Sequence, residues 1–164
     1  MRLVATTLPV NPPSETLHLT EAQLYQGLIS KARDPIRFVK QIQQCRILSE
    51  HESGLRREIV FTGRPEAMLE DVEYFPPGLV MFTMTSPTSN DRTTPQARIT
   101  NLISHTPDGG LFLTFSFAFG PNGQLDKDSE ADTREREVRK AGEETVAHTL
   151  AVVRELVQSG QIKA

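Results

Sequence analysis

The sequence predicts an α+β domain in which one long helix lies across an antiparallel sheet. Three observations lead there. Strand-type runs follow one another through hairpin signals, chiefly Ser53-Gly54 and the turn Pro107-Asp108-Gly109-Gly110. No crossover helix separates them, which excludes a parallel, doubly wound sheet. The segment from about Ser129 to Ser159 has no proline, and its apolar residues recur at helical spacing.

Taken in order, Arg2–Val10 alternates as a first strand and is closed by Pro12 and Pro13. Thr20 then opens a helix with Gln23 three residues on, a capping-box pattern, and Glu21 complements the helix dipole. Leu24, Leu28 and Ile29 form its buried face. Asp34-Pro35 ends it and starts a second short helix over Ile36–Ile42, with proline in the first turn. Strands follow at Cys45–Ser53, Leu55–Phe61, Ala67–Phe75, Leu79–Ser86, Ala97–His105 and Leu111–Phe119. The polar stretch Pro87–Pro95 is expected as a mobile rim loop. In the closing helix Val138, Gly142, Val146, Thr149, Val153 and Leu156 share the apolar side, while Arg134, Glu137, Arg139 and Lys140 crowd the polar one. Ser159-Gly160 stops it.

The 164 residues fit one domain, 1–164, with enough chain to bury a sizeable core. A net charge of −3 gives no basic surface for nucleic acid, and no apolar run is long enough for membrane insertion. Without a signal-peptide layout the expected location is cytoplasmic. A single cysteine, Cys45, fits a reducing compartment and reads as a packing residue. His18, His51, His105 and His148 show neither i, i+4 pairing nor cysteine partners, so no metal site is expected, and no phosphate-cradling glycine loop is present.

One strand raises a chemical question. In Ala67–Phe75, Met68, Val72 and Tyr74 share a face with Glu70, while Asp71 and Glu73 take the other. A carboxylate among apolar neighbours marks either a bulge or a space with polar work to do. Arg57 has the parity of Leu55, Ile59 and Phe61, and Asn101 that of Ala97, Ile99 and Ile103. Leu111, Leu113, Phe115, Phe117 and Phe119 make one apolar face, which core filling alone would explain.

The element order resembles the helix-grip fold of the START-like (SRPBCC) superfamily, which includes polyketide cyclases, lipid-transfer domains and pathogenesis-related allergens. Leu19–Val39 and the closing Glu137–Ile162 are similar to a small subfamily of bacteria and fungal secondary-metabolite clusters of the acetylaranotin type. The resemblance implies a curved sheet of about seven strands gripping the long helix, with two short helices after the first strand and a cavity between sheet and helix. It implies a small hydrophobic or polyketide-like ligand, a neighbouring synthase as partner, and a monomer or homodimer. No cofactor is implied.

On that fold Glu70 and Arg57 become candidate catalytic residues, of which Glu70 would relay a proton. A desolvated carboxylate suits that task, whereas an arginine beside it would hold it ionised. An internal ion pair and a bulge remain the alternatives. Asn101 is placed to orient a carbonyl or hydroxyl, and Tyr74, Phe82, Phe115 and Phe117 to supply apolar walls. His148 reads as a half-exposed or satisfied histidine, Asp34 as a cap, and Lys31 and Arg33 as a solvated rim. The implied activity is cofactor-independent cyclisation of lyase or isomerase type, by aldol, dehydration, or lactone (pyrone) closure. The rival is a non-catalytic carrier of a hydrophobic metabolite or lipid; a weaker third reading is a protein partner docked on a synthase.

Overall fold

The computed structural model of the chain describes residues 2–86, 95–119 and 129–163. Its strands are β1 (Arg2–Pro9), β2 (Ile42–His51), β3 (Gly54–Phe61), β4 (Ala67–Phe75), β5 (Leu79–Thr85), β6 (Ala97–His105) and β7 (Leu111–Phe119). Its helices are α1 (Glu21–Arg33) and α2 (Ser129–Gln158). The strands form one antiparallel sheet in the order β1-β7-β6-β5-β4-β3-β2. Only the first strand leaves sequence order, pairing beside the last. The expected rim loop lies outside the described residues except for Pro95.

Local chemistry accounts for the boundaries. Thr20 Oγ1 accepts from the Gln23 amide at 3.2 Å and Gln23 Oε1 accepts from the Thr20 amide at 3.0 Å, so the capping box is complete. The expected second helix is instead a single 3₁₀ turn, Pro35–Arg37. Its room is limited on both sides. Asp34-Pro35 interrupts α1, and Ile42 is already taken by its pairing with Phe61. The Asp34 side chain makes no capping bond; its backbone N–H closes α1 on Ser30 O.

In β3 to β7 alternate residues turn inward, and register carries rows of inner residues across the sheet. One row runs Leu55, Val72, Phe82, Ile99, Phe117; the next runs Arg57, Glu70, Met84, Ala97, Phe119. Two irregularities in β2, at Ile42/Gln44 and Ile47/Ser49, bend the edge of the sheet. On the outer face hydroxyls pair across strands, Thr7 with Thr114 at 2.8 Å and Thr100 with Ser116 at 2.5 Å.

Packing is uneven along the inner face. The larger core joins α1 and α2 to one end of the sheet through Leu24, Leu28, Val80, Ile103, Leu113, Phe115, Val146 and Val153. A smaller cluster of Ile42, Ile59 and Met68 occupies the other end. The helices cross closely at Gly27, where a Cβ would stand 2.3 Å from a Val153 methyl. Gly142 likewise brings α2 against Thr6 and Phe117. Arg154 donates to Val10 O and to Leu17 O at 3.3 Å, fastening the proline-rich segment to α2.

Candidate functional site

A cavity of about 470 Å³ opens between the two core clusters, under the first half of α2. That volume lies within the roughly 300–1,000 Å³ typical of small-molecule sites. Its walls are mostly apolar: Ile42, Phe61, Phe82, Met84, Ile99 and Phe117. Val138, Ala141, Gly142 and Thr145 form the α2 side, and the exposed Gln41, Thr62 and Arg64 stand at the rim. Three ionisable groups line the same space, Lys31 from α1, Arg57 from β3 and Glu70 from β4.

All three are withdrawn from solvent, with exposures of 5%, 2% and 2%. Cross-strand pairing sets Arg57 opposite Glu70 on the inner face. The arginine donates through Nε at 2.7 Å and lies with Nη2 2.6 Å from the same oxygen, Oε2. Its Nη1 donates to Lys31 O at 3.1 Å and Ala32 O at 2.5 Å, satisfying carbonyls at the end of α1. The guanidinium thus ties the docking of α1 to the ion pair. Phe82 lies beneath it, with its ring centre 5.2 Å from Cζ.

Lys31 is built differently. Nζ donates to Asn101 Oδ1 at 2.8 Å and stands 3.7 Å from the centre of the Phe115 ring. Among the described residues no carboxylate lies within ion-pairing distance of it. A buried unpaired charge costs several kcal/mol, more than the roughly 0.5–2 kcal/mol a cation–π contact returns. Burial therefore pushes the Lys31 ammonium well below the usual lysine range. The Arg57 charge pushes it further, and Glu70 opposes this only in part.

Of the residues singled out from sequence, Glu70, Arg57, Phe82 and Phe117 line the cavity. Asn101 and Phe115 do not. Both sit fully buried behind it and hold Lys31. Tyr74 is also off the cavity wall, although it shares the Glu70 face. Four residues of strand separate the two, roughly 13 Å, and carry Tyr74 to the end filled by the larger core. Its hydroxyl is buried without a partner among the described residues.

The assignment of Lys31 to a solvated rim is overturned; Arg33 does stand exposed, paired with Glu50 at 2.6 Å. The signal was available in spacing. Lys31 follows Leu24 by seven residues and Leu28 by three, which places it on the buried stripe of α1. His148 Nε2 lies 3.0 Å from Arg37 O, away from the cavity wall. Cys45 is half-buried beside the smaller cluster, and burial raises its thiol. Among the described residues no group of three His, Cys, Asp or Glu is arranged to hold a metal ion, and no helix is long and apolar enough to cross a membrane.

Comparison with solved structures agrees with this architecture. The ZhuI aromatase/cyclase from Streptomyces sp. R1128 superposes with a TM-score of 0.63 at 14% identity, covering 94% of each chain. StfQ, the di-domain aromatase/cyclase of the steffimycin pathway, gives 0.63 at 12% identity, with 96% of this chain on 52% of that one. The protein Ara h 8.0201 gives 0.60 at 14% identity, covering 94% of this chain and 98% of that one. At such identities the likeness shows the helix-grip fold. No curated protein matches the sequence. The family described as acetylaranotin biosynthesis cluster protein L matches residues 4–160. That match across nearly the whole chain, joined to a helix-grip sheet over a lined cavity, makes this protein a member of the acetylaranotin biosynthesis cluster protein L family.

Proposed function

We propose that the protein binds an apolar, oxygen-rich molecule in its cavity and promotes ring closure of polyketide type. The observation that carries this reading is the composition of the cavity, a mostly apolar wall interrupted by Lys31, Arg57 and Glu70 on one side. A simple carrier needs the apolar wall alone. Three buried ionisable groups on one cavity wall are an expensive feature that carriage does not require.

The chemistry asked of the protein is modest. Phe82, Ile99, Phe117 and the α2 wall hold a flexible chain in a folded conformer, which contributes up to about 7–11 kcal/mol in ideal cases. Glu70 offers its Oε1, since Arg57 engages Oε2, and can take a proton from an acidic carbon between two carbonyls. Arg57 holds that carboxylate in place. Such proton transfer adds roughly two to four decades of rate. Aldol closure, dehydration and lactone closure all draw on these two contributions.

The test is a synthetic linear 3,5-dioxo thioester incubated without protein, with wild type and with Glu70→Gln. Wild type should accelerate one cyclic product over the spontaneous mixture, and Glu70→Gln should lose most of that gain. An identical product mixture and rate with and without protein would remove the enzymatic reading. Tight binding of the thioester with unchanged chemistry would favour the carrier.

A further inference from the structure

The cavity holds two basic side chains and one carboxylate, and one oxygen of that carboxylate is already engaged. Arg57 places both Nε and Nη2 on Glu70 Oε2. Lys31 enters the same space from a different element, with its amine between the Phe115 ring and Asn101 Oδ1. One N–H points to the amide oxygen, and Lys31 is itself part of the cavity wall. An ammonium here would be a buried cation without a counter-ion among the described residues. An uncharged amine suits the surroundings better, and an uncharged amine is a nucleophile.

From this geometry we infer that Lys31 is a catalytic amine that condenses with a carbonyl of the ligand, a ketone or β-dicarbonyl, to give an imine. The inference rests on the ligand-binding reading of the cavity and adds the ligand's chemical class. The nitrogen lone pair adds to the carbonyl carbon while the C=O π pair moves to oxygen. One amine hydrogen passes to that oxygen, forming a carbinolamine. The second leaves with the hydroxyl as water, and the nitrogen pair closes the C=N bond. Both amine hydrogens and the carbonyl oxygen depart together, so the exchange needs no oxidant, reductant or co-reactant. Protonated, the imine acidifies the adjacent carbon, and Glu70 lines the same space to take that proton. Asn101 acts as a positioning residue, fixing the amine over Phe115.

The probe is nonane-2,4-dione, a 1,3-diketone with an apolar tail. Its condensation with an amine gives a conjugated enaminone, seen as a new near-ultraviolet band and a mass gain of the diketone less one water. At neutral pH the uncharged fraction of a lysine grows as it gives up its proton more readily. Lys31 should therefore react faster than any exposed lysine. The full-length wild type should carry one adduct, on the peptide containing Lys31, and Lys31→Arg should lose it. Adducts spread over exposed lysines, or an unchanged rate in Lys31→Arg, would overturn the inference.

Should Lys31→Arg not fold, the wild type alone decides the matter. Preloading with the neutral dye N-phenyl-1-naphthylamine should slow adduct formation about tenfold by filling the cavity, and an unaffected rate would refute a cavity amine. Dye binding without any adduct would end the amine inference while leaving the cavity reading standing. Neither dye binding nor adduct would end both.

Discussion

Replacing Arg57 and Glu70 separately and together isolates what their pairing does for stability. Both side chains are 3% exposed, and two guanidinium nitrogens lie 2.6–2.7 Å from one carboxylate oxygen. Removing one partner of such a pair costs about 3–5 kcal/mol, because the other charge stays buried alone. Arg57→Met belongs at the upper end, about 5 kcal/mol. It strands Glu70 and also takes a donor from Lys31 O and Ala32 O. Glu70→Leu leaves the guanidinium on those carbonyls and should cost about 3 kcal/mol. The double variant has no charge left to strand, and its cost falls to about 1–2 kcal/mol, that of the two carbonyls. The coupling is then about 6 kcal/mol, the excess of 8 over 2, and at least about 2 kcal/mol if relaxation halves the single costs. At roughly 2–4 °C per kcal/mol for a chain of this size, Arg57→Met melts about 10–20 °C below wild type. Urea and thermal denaturation of the four proteins measure this. Single costs that add to the double within about 0.5 kcal/mol would refute the argument.

Lys31 predicts a pH signature. Its folded form gives up its proton more readily than the unfolded chain, chiefly because of burial. Between the folded and unfolded titrations the unfolded chain binds more protons, so this group's contribution to stability rises with pH. The rise reaches at most about 1.4 kcal/mol per pH unit and ends near the ordinary lysine value, roughly 10.4. The wild-type minus Lys31→Met stability difference, followed by urea denaturation from pH 7 upward, should climb; a flat difference would contradict a buried, depressed lysine. Gly27→Ala should destabilise by about 1–3 kcal/mol through overlap with Val153. Adding Val153→Ala should not recover all of that, since it leaves its own deletion cost, but the two effects should be clearly less than additive in a melting series. Ala141→Phe projects a ring from α2 into the cavity and should abolish binding of N-phenyl-1-naphthylamine while the cooperative melt is retained. Undiminished dye binding would place the site elsewhere.

Strand parity, capping and hairpin turns made the order of elements and the inward direction of Arg57, Glu70 and Asn101 legible without coordinates, because each depends on residues close in the chain. Parity identifies a face and is silent on which part of that face is filled. The inner rows of β3 to β7 run the length of the sheet, yet the larger core closes over Tyr74, Val80, Ile103 and Phe115, and the hollow remains around Glu70, Met84, Ile99 and Phe117. Where filling ends is decided by how α1 docks, a contact between distant segments that Gly27 against Val153 and Arg57 on the α1 carbonyls hold in place. The same docking explains the treatment of Lys31. A lysine near a helix end is ordinarily a solvated cation, and residue type outweighed the i, i+3 and i+7 spacing that set it on the buried stripe. Only with α1 seated do Asn101 and Phe115, two residues paired across β6 and β7, acquire a common purpose beneath one amine. A polar residue on an apolar helical stripe is therefore informative when the opposing sheet offers both an acceptor and an aromatic face at one register position, since neither alone compensates a buried lysine.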